Sequence, residues 1–459
     1  MAVIERRDVY GLGEPWHPIL RAYALAIGRM KALPASDPRS LAYQASVHGF
    51  RSESDPPPDR FRGQCQHNCW YFLPWHRWYL HYYEQIIRSL LAEIDEVPDE
   101  VAESWALPYW NYARDAGAAK LPPEFASPTL WDGRRNPLFD DTRLPEVNDR
   151  SAALDRVQTV PGRGVLDQPF SALTSGVATF GGTASGWHHF REPGAVAGGL
   201  EGTPHNDVHG FVGGNMWRFA TAGLDPVFWL HHCNIDRYWE MRGHDADPTG
   251  WADVSFDFRT ETGAAVRVDA DGCVDTEGQL GYRYEDITRP DGLLGGAERR
   301  SEMAPGSEIP PEVVGTRGTV HLQGRRVDAT MEVGAPSGDF LLSRGRERDQ
   351  RVFLTVNDIV GEANPGISYA VYLGERADES CRAGLISFFG IEGTREGGHP
   401  LGYAFDVTDI VHTLEDEGAW NPDDVHVVFE PVGAVLDEGR SKTEDTAPVE
   451  VGSVSIAYQ

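Results

Sequence analysis

Residues 205–214 read HNDVHGFVGG, and residues 225–239 read DPVFWLHHCNIDRYW. His205 and His209 are four residues apart, so a helix places both imidazoles on one face, with Cβ atoms about 5–6 Å apart. Two rings on one face can bind the same metal ion, but the ion still needs a third ligand. His232, in the second stretch, is the candidate for that ligand. These stretches therefore predict a pair of helices around a metal site.

Each of the two helices has a start signal. Thr203 and Asp225 are residue types that cap helices, and each is followed by proline, which is favoured in the first helical position. We therefore expect helices that begin at Pro204 and Pro226. His205 would lie in a first turn, where the positive end of the helix dipole disfavours the protonated ring, and metal binding requires the neutral ring.

A second group of histidines surrounds residues 65–84, CQHNCWYFLPWHRWYLHYYE. His67 and His76 are nine residues apart, which at about 100° per residue puts them on opposite sides of a shared helix. We therefore expect His67 in a loop and His76 in the first turn of a helix that starts at Pro74. Because His48 ends a preceding helical stretch, the chain offers two groups of three histidines.

The ligand chemistry narrows the choice of metal. Sets of imidazoles without thiolate or carboxylate suit copper or zinc, and two facing sites can hold a small molecule between ions about 3.5–4 Å apart. Zinc hydrolysis is disfavoured because no HExxH motif accompanies the histidines.

The hydrophobic pattern changes along the chain. Helical spacing dominates residues 1–288, the predicted catalytic domain, and residues 289–318 form a Pro/Gly/Glu-rich connector. In residues 319–459 apolar residues alternate with polar ones, as in Ile367, Tyr369, Val371 and Leu373, which is typical of a β-sandwich.

Composition excludes some classes of function. The formal net charge of −29, with only three lysines, argues against a nucleic-acid partner, because phosphate contacts need clustered cations. No run of about 18 apolar residues is present, and Met1 to Asp8 lack the apolar segment of a secretory signal. We therefore expect a cytoplasmic protein without a membrane span.

Taken together, these stretches resemble the tyrosinase, catechol oxidase and haemocyanin family of type 3 binuclear copper proteins. The resemblance continues through PYWNY at 108–112 and the Tyr-x-Tyr element at 282–284, and FDVTDIV at 405–411 looks like the C-terminal domain of plant polyphenol oxidases. It implies a mainly α catalytic domain built on a four-helix bundle with long loops, followed by a C-terminal β-sandwich.

The resemblance also implies two copper ions, with dioxygen as co-substrate. Six histidines would bind them, one copper on His48, His67 and His76 and the other on His205, His209 and His232. His231, the first residue of the doublet, would then be a neighbour that faces the substrate or supports a ligand. Asp236, one helical turn beyond His232, could accept the other ring N–H of a ligand.

The implied activity is oxidation of o-diphenols to o-quinones, with ortho-hydroxylation of monophenols. Related hydroxylating enzymes hold a water at the positions of Glu201 and Asn206, and a phenol with a pKa near 10 needs such a base. Phe219 matches a bulky gate over the copper, whereas Gly210 leaves room beside it. The alternatives are an o-aminophenol oxidase of secondary metabolism and a haemocyanin-like oxygen-binding protein.

Four further expectations come from the resemblance. Cys65 stands where relatives carry a thioether bond to the residue matching His67, and Phe388 or Phe389 could plug the pocket from a shielding C-terminal domain. A small phenol is the expected partner, and a copper-delivery protein is a further candidate.

Overall fold

Helices form the first part of the chain. The computed structural model describes residues 3–50, 59–162, 164–173, 176–184, 195–244, 247–248, 251, 254–289, 311–337, 350–392, 394, 400–433, 435–436 and 446–459. The helices are α1 (Pro18–Ala32), α2 (Leu41–His48), α3 (Phe72–Leu91), α4 (Asp99–Ser104), α5 (Pro123–Ala126), α6 (Pro145–Asn148), α7 (Asp207–Val212), α8 (Val227–Arg242) and α9 (Thr408–Asp416).

Helix α3 is the centre of the helical region, the described residues from 3 to 289, and packs against α1 and α8. The ring of Tyr83 on α3 stacks on Trp229 of α8, with centroids 3.3 Å apart. Helix α3 begins at Phe72, two residues before the predicted start at Pro74. A proline in a first turn lacks only an N–H that would have no helical partner, so the helix can begin before it. His76 therefore lies just past the first turn.

The strands are β1 (Ile4–Arg6), β2 (Ala152–Ala153), β3 (Ser255–Arg259), β4 (Ala265–Asp269), β5 (Tyr282–Tyr284), β6 (Glu312–Arg317), β7 (Val320–Leu322), β8 (Val327–Met331), β9 (Val352–Gly361), β10 (Ser368–Leu373), β11 (Arg382–Ile386), β12 (Leu401–Asp406), β13 (Val425–Val432), β14 (Val435–Leu436) and β15 (Val449–Tyr458). One sheet has the order β11-β10-β13-β8, and another has the order β12-β9-β15-β6, with β7 also paired to β15.

These two sheets make up the C-terminal sheet region, the described residues from 311 onward. Alternate residues of both sheets, such as Val371 on β10 and Ile456 on β15, enter one shared apolar core. The first strand, Glu312–Arg317, pairs with β15 although it falls within the predicted connector 289–318. Its Val314 packs against that core, so the sheet begins earlier than the composition indicated. Residues 290–310 of the connector lie outside the described residues.

The helical region and the C-terminal sheet region contact each other at several points. Strand β2 pairs antiparallel with β14, and Arg218 donates to Glu392 at 2.5 Å. Strand β1 pairs parallel with β5 and so joins the two ends of the helical region. Among the described residues, none of the helices is long and apolar enough to span a bilayer.

Candidate metal centre

Two clusters of buried imidazoles lie next to each other in the helical region. In each cluster the ligand nitrogens lie within 4.8 Å of one another; the clusters are His48, His67 and His76, and His205, His209, His231 and His232. The rings of His76 and His232 stack across the boundary, with centroids 4.5 Å apart and planes at 10°. Two ions held by these clusters would therefore be neighbours.

The first cluster is assembled by the end of α2 and the loop before α3. His48 is the last residue of α2, and the amide of Cys65 donates to its carbonyl at 3.1 Å. This backbone contact places His67, which lies in the loop as predicted, beside His48. Their Nε2 atoms are 3.3 Å apart, a separation suited to two imidazoles that share one ion at bond lengths of about 2.0–2.1 Å.

The second cluster is carried by three neighbouring segments. His205 lies in the helical turn Glu201–Asn206, His209 in α7, and His231 and His232 in α8. Helix α8 begins one residue after Pro226, and the Asp225 carboxylate accepts from the amide of Val227 at 2.9 Å, as the predicted cap requires.

Thr203, the predicted cap before Pro204, acts in a different way. Thr203 has extended backbone angles, φ −140° and ψ 126°, so helical backbone resumes at Pro204. Its hydroxyl donates to the carboxylate of Asp207 at 2.8 Å instead of capping a backbone amide.

Hydrogen bonds at Nδ1 fix the tautomer of several rings. Three Nδ1 atoms donate to backbone carbonyls, which can only accept: His48 to Phe219 at 2.8 Å, His76 to Phe72 at 2.7 Å and His209 to Met216 at 2.7 Å. Each of these rings therefore presents the lone pair of Nε2. Such outer hydrogen bonds orient the ligand ring and raise its basicity.

Two side chains support the rings of His67 and His205 in the same way. Glu201 accepts from Nδ1 of His67 at 2.9 Å and from the amide of Asn68 at 2.9 and 3.0 Å. Asn68 has φ 56°, a left-handed conformation that asparagine tolerates better than most residues. The Asn206 side-chain oxygen accepts from Nδ1 of His205 at 2.9 Å. Both residues predicted to hold the water therefore contact rings of the centre.

The electrostatics favour neutral rings. Burial, the largest cause, holds the pKa values of His76, His205, His209 and His232 well below the usual range, and the neighbouring imidazoles add to this effect. Burial also lowers the pKa of His231 to about 3. The Nε2 atoms of His76, His205 and His209 are buried without a hydrogen-bond partner. Buried polar atoms are rarely left so, and copper ions bound by imidazoles would satisfy them.

The two histidines of the doublet face different neighbours. His232 lies toward the first cluster, with its centroid 4.5 Å from His76 and 6.3 Å from His48. His231 instead stacks on His205 at 5.4 Å and lies 5.9 Å from Tyr112. Both nitrogens of each ring are buried without a hydrogen-bond partner, and each ring can offer one of them to a metal ion.

An aromatic layer covers the centre. The Phe389 ring stacks on His209, with centroids 3.9 Å apart, and lies 4.6 Å from the ring of Phe219. Phe219 in turn lies 4.5 Å from His67. Phe388 points into the sheet region, 6.2 Å from Tyr369 and within its apolar core. A Cβ at Gly210 would meet nothing within 4 Å, so this position leaves open space.

Asp236 does not orient a copper ligand, contrary to expectation. Its carboxylate accepts from Arg77 at 2.5 Å and Arg6 at 3.4 Å, and from the hydroxyls of Tyr282 and Tyr284, both at 2.6 Å. Although burial opposes ionisation, Arg77 and Arg6 lower the pKa of Asp236. The expectation failed because two arginines distant in sequence compete for the carboxylate and hold it in a buried ion cluster.

Sequence reasoning missed Gly49 and Phe228. A Cβ at Gly49 would lie 2.3 Å from the carbonyl of Phe219, so only glycine lets this carbonyl reach His48. A glycine directly after a candidate ligand was the available signal. The Phe228 ring lies 4.2 Å from His232 and 5.1 Å from His48, and no spacing rule pointed to it.

Cys65 is buried, two residues before His67 in the chain. Its backbone runs beside His48, which keeps it in the first cluster's surroundings. The thioether bond remains a prediction.

Comparison with known proteins agrees with this geometry. The family model for the common central domain of tyrosinase matches residues 38–144 and 133–243, and a domain of unknown function matches 310–459. A tyrosinase of Hahella sp. (strain CCB-MM4) is 29% identical, with 98% of both chains covered. The latent polyphenol oxidase of Prunus armeniaca is 27% identical over 96% of this chain and 73% of its own. The fold resembles latent apple tyrosinase, with a TM-score of 0.63, 23% identity, and 100% and 97% of the two chains covered.

Proposed function

This chain belongs to the tyrosinase and catechol oxidase family of type 3 copper oxidoreductases, and from that premise we propose that it oxidises o-diphenols to o-quinones and ortho-hydroxylates monophenols. The observation that carries the proposal is the pair of adjoining imidazole clusters, in which the Nε2 atoms of His76, His205, His209 and His232 are buried without a hydrogen-bond partner. The relatives named as tyrosinase and polyphenol oxidase support phenols as the substrate class. We also propose that α1, α2, α3 and α8 form the family's four-helix bundle.

The proposed ligands are six histidines. His48, His67 and His76 would hold one copper, and His205, His209 and His232 would hold the other, with His231 beside the second site. When bound, the copper pair supplies the redox centre at which dioxygen is reduced. Burial keeps the rings of His76, His205, His209 and His232 neutral. Acceptors at Nδ1 orient each proposed ligand ring except that of His232.

Proton removal is the second task of the protein. A phenol has a pKa near 10, so a positioned acceptor is needed to ionise it at neutral pH. We propose that Glu201 and Asn206 hold the water that takes this proton. Glu201 is buried and fixed by His67 and Asn68, so its carboxylate is already positioned at the first cluster.

Access to the centre is the third element of the proposal. Phe389, 1% exposed and stacked on His209, would occupy the space that a substrate ring needs. The C-terminal sheet region would then shield the site, and Phe219 would act as a gate below Phe389. We also propose a thioether between Cys65 and His67, formed with loss of the thiol hydrogen and a ring hydrogen to dioxygen as oxidant.

The test uses the full chain and the variant Phe389→Ala, each purified and loaded with copper. The copper content of each protein is measured. Oxygen uptake is then recorded with a catechol, a monophenol and 2-aminophenol. The proposal predicts a binuclear copper content, turnover of the catechol, and a lag with the monophenol. Turnover of 2-aminophenol alone would favour an aminophenol oxidase, and reversible oxygen binding without turnover would favour an oxygen carrier.

A further inference from the structure

The C-terminal sheet region is hydrogen-bonded to the segment that carries His205. Three contacts reach this segment, residues 202–207: the Ser387 hydroxyl donates to the Gly202 carbonyl at 3.1 Å, the Ser368 hydroxyl donates to the Asp207 carboxylate, and the Asn206 amide nitrogen donates to the Tyr403 hydroxyl at 3.3 Å. All of these side chains are buried. The sheet region therefore does more than cover the pocket, because it bonds directly to a ligand-bearing segment.

Tyr403 is firmly held at this contact. Its hydroxyl donates to the carbonyl of Ser387 at 2.7 Å, which directs an oxygen lone pair to the Asn206 amide. Its ring packs over Gly202, where a Cβ would lie 3.2 Å from a ring carbon. The Asn206 amide is thus fixed at both ends, with its oxygen on His205 and its nitrogen on Tyr403.

We propose that Tyr403 restrains monophenol hydroxylation by occupying the Asn206 amide, separately from the steric block by Phe389. This inference rests on the proposed function, in which Asn206 helps to hold the water that accepts the phenol proton. The Asn206 amide has two N–H groups, and the one bonded to Tyr403 is not available to that water. Tyr403 is therefore a specificity-determining residue that acts through Asn206.

The restraint falls unequally on the two substrate classes. Catechol oxidation delivers both hydroxyl protons to the water formed from dioxygen, whereas a monophenol must lose its proton before its ring is oxygenated. Occupation of the Asn206 N–H by Tyr403 therefore slows monophenol hydroxylation more than catechol oxidation. Phe389 excludes both classes alike, because its ring fills the space over His209.

The two effects can be separated by substitution in the full chain. Phe389→Ala opens the pocket, and Tyr403→Phe removes one hydroxyl while the ring stays over Gly202. Tyr369→Phe is the matched control, because the buried Tyr369 hydroxyl accepts from the amide of Gly324 at 2.6 Å within the sheet region itself. The three proteins to compare are Phe389→Ala alone and its combinations with Tyr403→Phe and with Tyr369→Phe.

Each copper-loaded protein is assayed with 4-tert-butylphenol and 4-tert-butylcatechol, a pair that differs by one hydroxyl. Tyr403→Phe is expected to raise the ratio of hydroxylation to catechol oxidation about tenfold, a part of the roughly 10²–10⁴-fold that positioned proton transfer contributes. Tyr369→Phe is expected to leave the ratio unchanged. The acidic limb of the hydroxylation pH profile is expected to move to lower pH only with Tyr403→Phe, because only this variant frees the Asn206 N–H to bond the water that accepts the proton.

An unchanged ratio with Tyr403→Phe would overturn the inference while the proposed function stands. A lower ratio would overturn it too, because Tyr403 would then be positioning Asn206 for the reaction. If a protein with both coppers oxidises neither compound, the proposed function itself fails.

Discussion

The ring of Phe389, from the C-terminal sheet region, stacks on the ring of His209, from α7, with centroids 3.9 Å apart and planes at 21°. A substrate ring that approaches the second site from this side needs the same face of His209. If Phe389 shields the site as proposed, catalysis in the full chain depends on how often its ring leaves this position.

Phe389→Ala is expected to raise kcat/KM for 4-tert-butylcatechol. The gain should be about tenfold or more, because a minor open state is typically populated at about 0.1–10%. Phe388→Ala is the control, since Phe388 packs in the sheet core and does not contact the histidines. Equal gains from the two variants would show that loosening of the sheet region, and not the vacated space over His209, causes activation.

Glu201→Gln is expected to weaken copper binding at the first site about 10–100-fold, the usual cost of losing an outer partner of a ligand. The carboxylate accepts from Nδ1 of His67, and the neutral amide is a poorer acceptor. Competition with a chromophoric copper chelator measures the affinity. The second site, which Glu201 does not orient, should release copper as in the parent, and equal losses at both sites would contradict this assignment.

The histidine doublet gives a direct test of the ligand assignment. His232→Asn is expected to leave about one copper per chain because its ring lies at the boundary of the two clusters, and a site with only two imidazoles is incomplete. His231→Asn should keep both ions. Metal analysis after gel filtration distinguishes them, and the reverse pattern would make His231 the ligand.

Asp236→Asn is expected to lower the free energy of unfolding by about 3–5 kcal/mol, because it leaves Arg6 and Arg77 buried without their shared carboxylate. Urea unfolding measures the change. Glu417→Gln, which breaks an exposed pair with Arg376, should cost far less, because water screens the charges of an exposed pair. Similar losses from both variants would refute the buried cluster as a stabilising element.

His244 predicts a dependence of stability on pH. Burial alone would lower its pKa, but hydrogen bonds to Asp247 and Glu240 outweigh burial and raise it to about 9. A pKa raised in the folded state means that the stabilisation is complete below about pH 6.5 and is lost as the pH rises through about 9.

Because the ring of His244 is 24% exposed, the effect should be about 2 kcal/mol. His244→Gln should therefore destabilise the protein at pH 6 and have little effect at pH 10 in urea unfolding. A difference that does not change with pH would exclude this ionisation as its source.

The spacing of the histidines predicted which rings form the metal centre, but not which groups accept hydrogen bonds from them. The interval of four between His205 and His209, and the loop position of His67, follow from helical geometry and are read directly from the sequence. The acceptors at Nδ1 are mostly backbone carbonyls, such as those of Phe72 and Met216, and any residue type can supply a carbonyl. Only three-dimensional packing selects which one is used.

Contacts between distant parts of the chain were also not predicted from the sequence. Asp236 was assigned by its position one turn after His232, but Arg6 and Arg77 approach from other elements and take its carboxylate. Tyr403 and Asn206 are 197 residues apart in the chain, and no local sequence pattern indicates that they contact each other. Local spacing fixes which side chains share a face, whereas tertiary packing decides what that face meets.

The carbonyl of Phe219, and not its ring, turns His48 toward the first site, and Gly49 makes the approach possible. Every amino acid brings the same main-chain oxygen, so the side chain at position 219 can be exchanged while the anchoring of His48 is retained. With Phe219 as the proposed gate, natural substitutions at this residue therefore change which molecules reach the site and leave the metal-binding histidines in place.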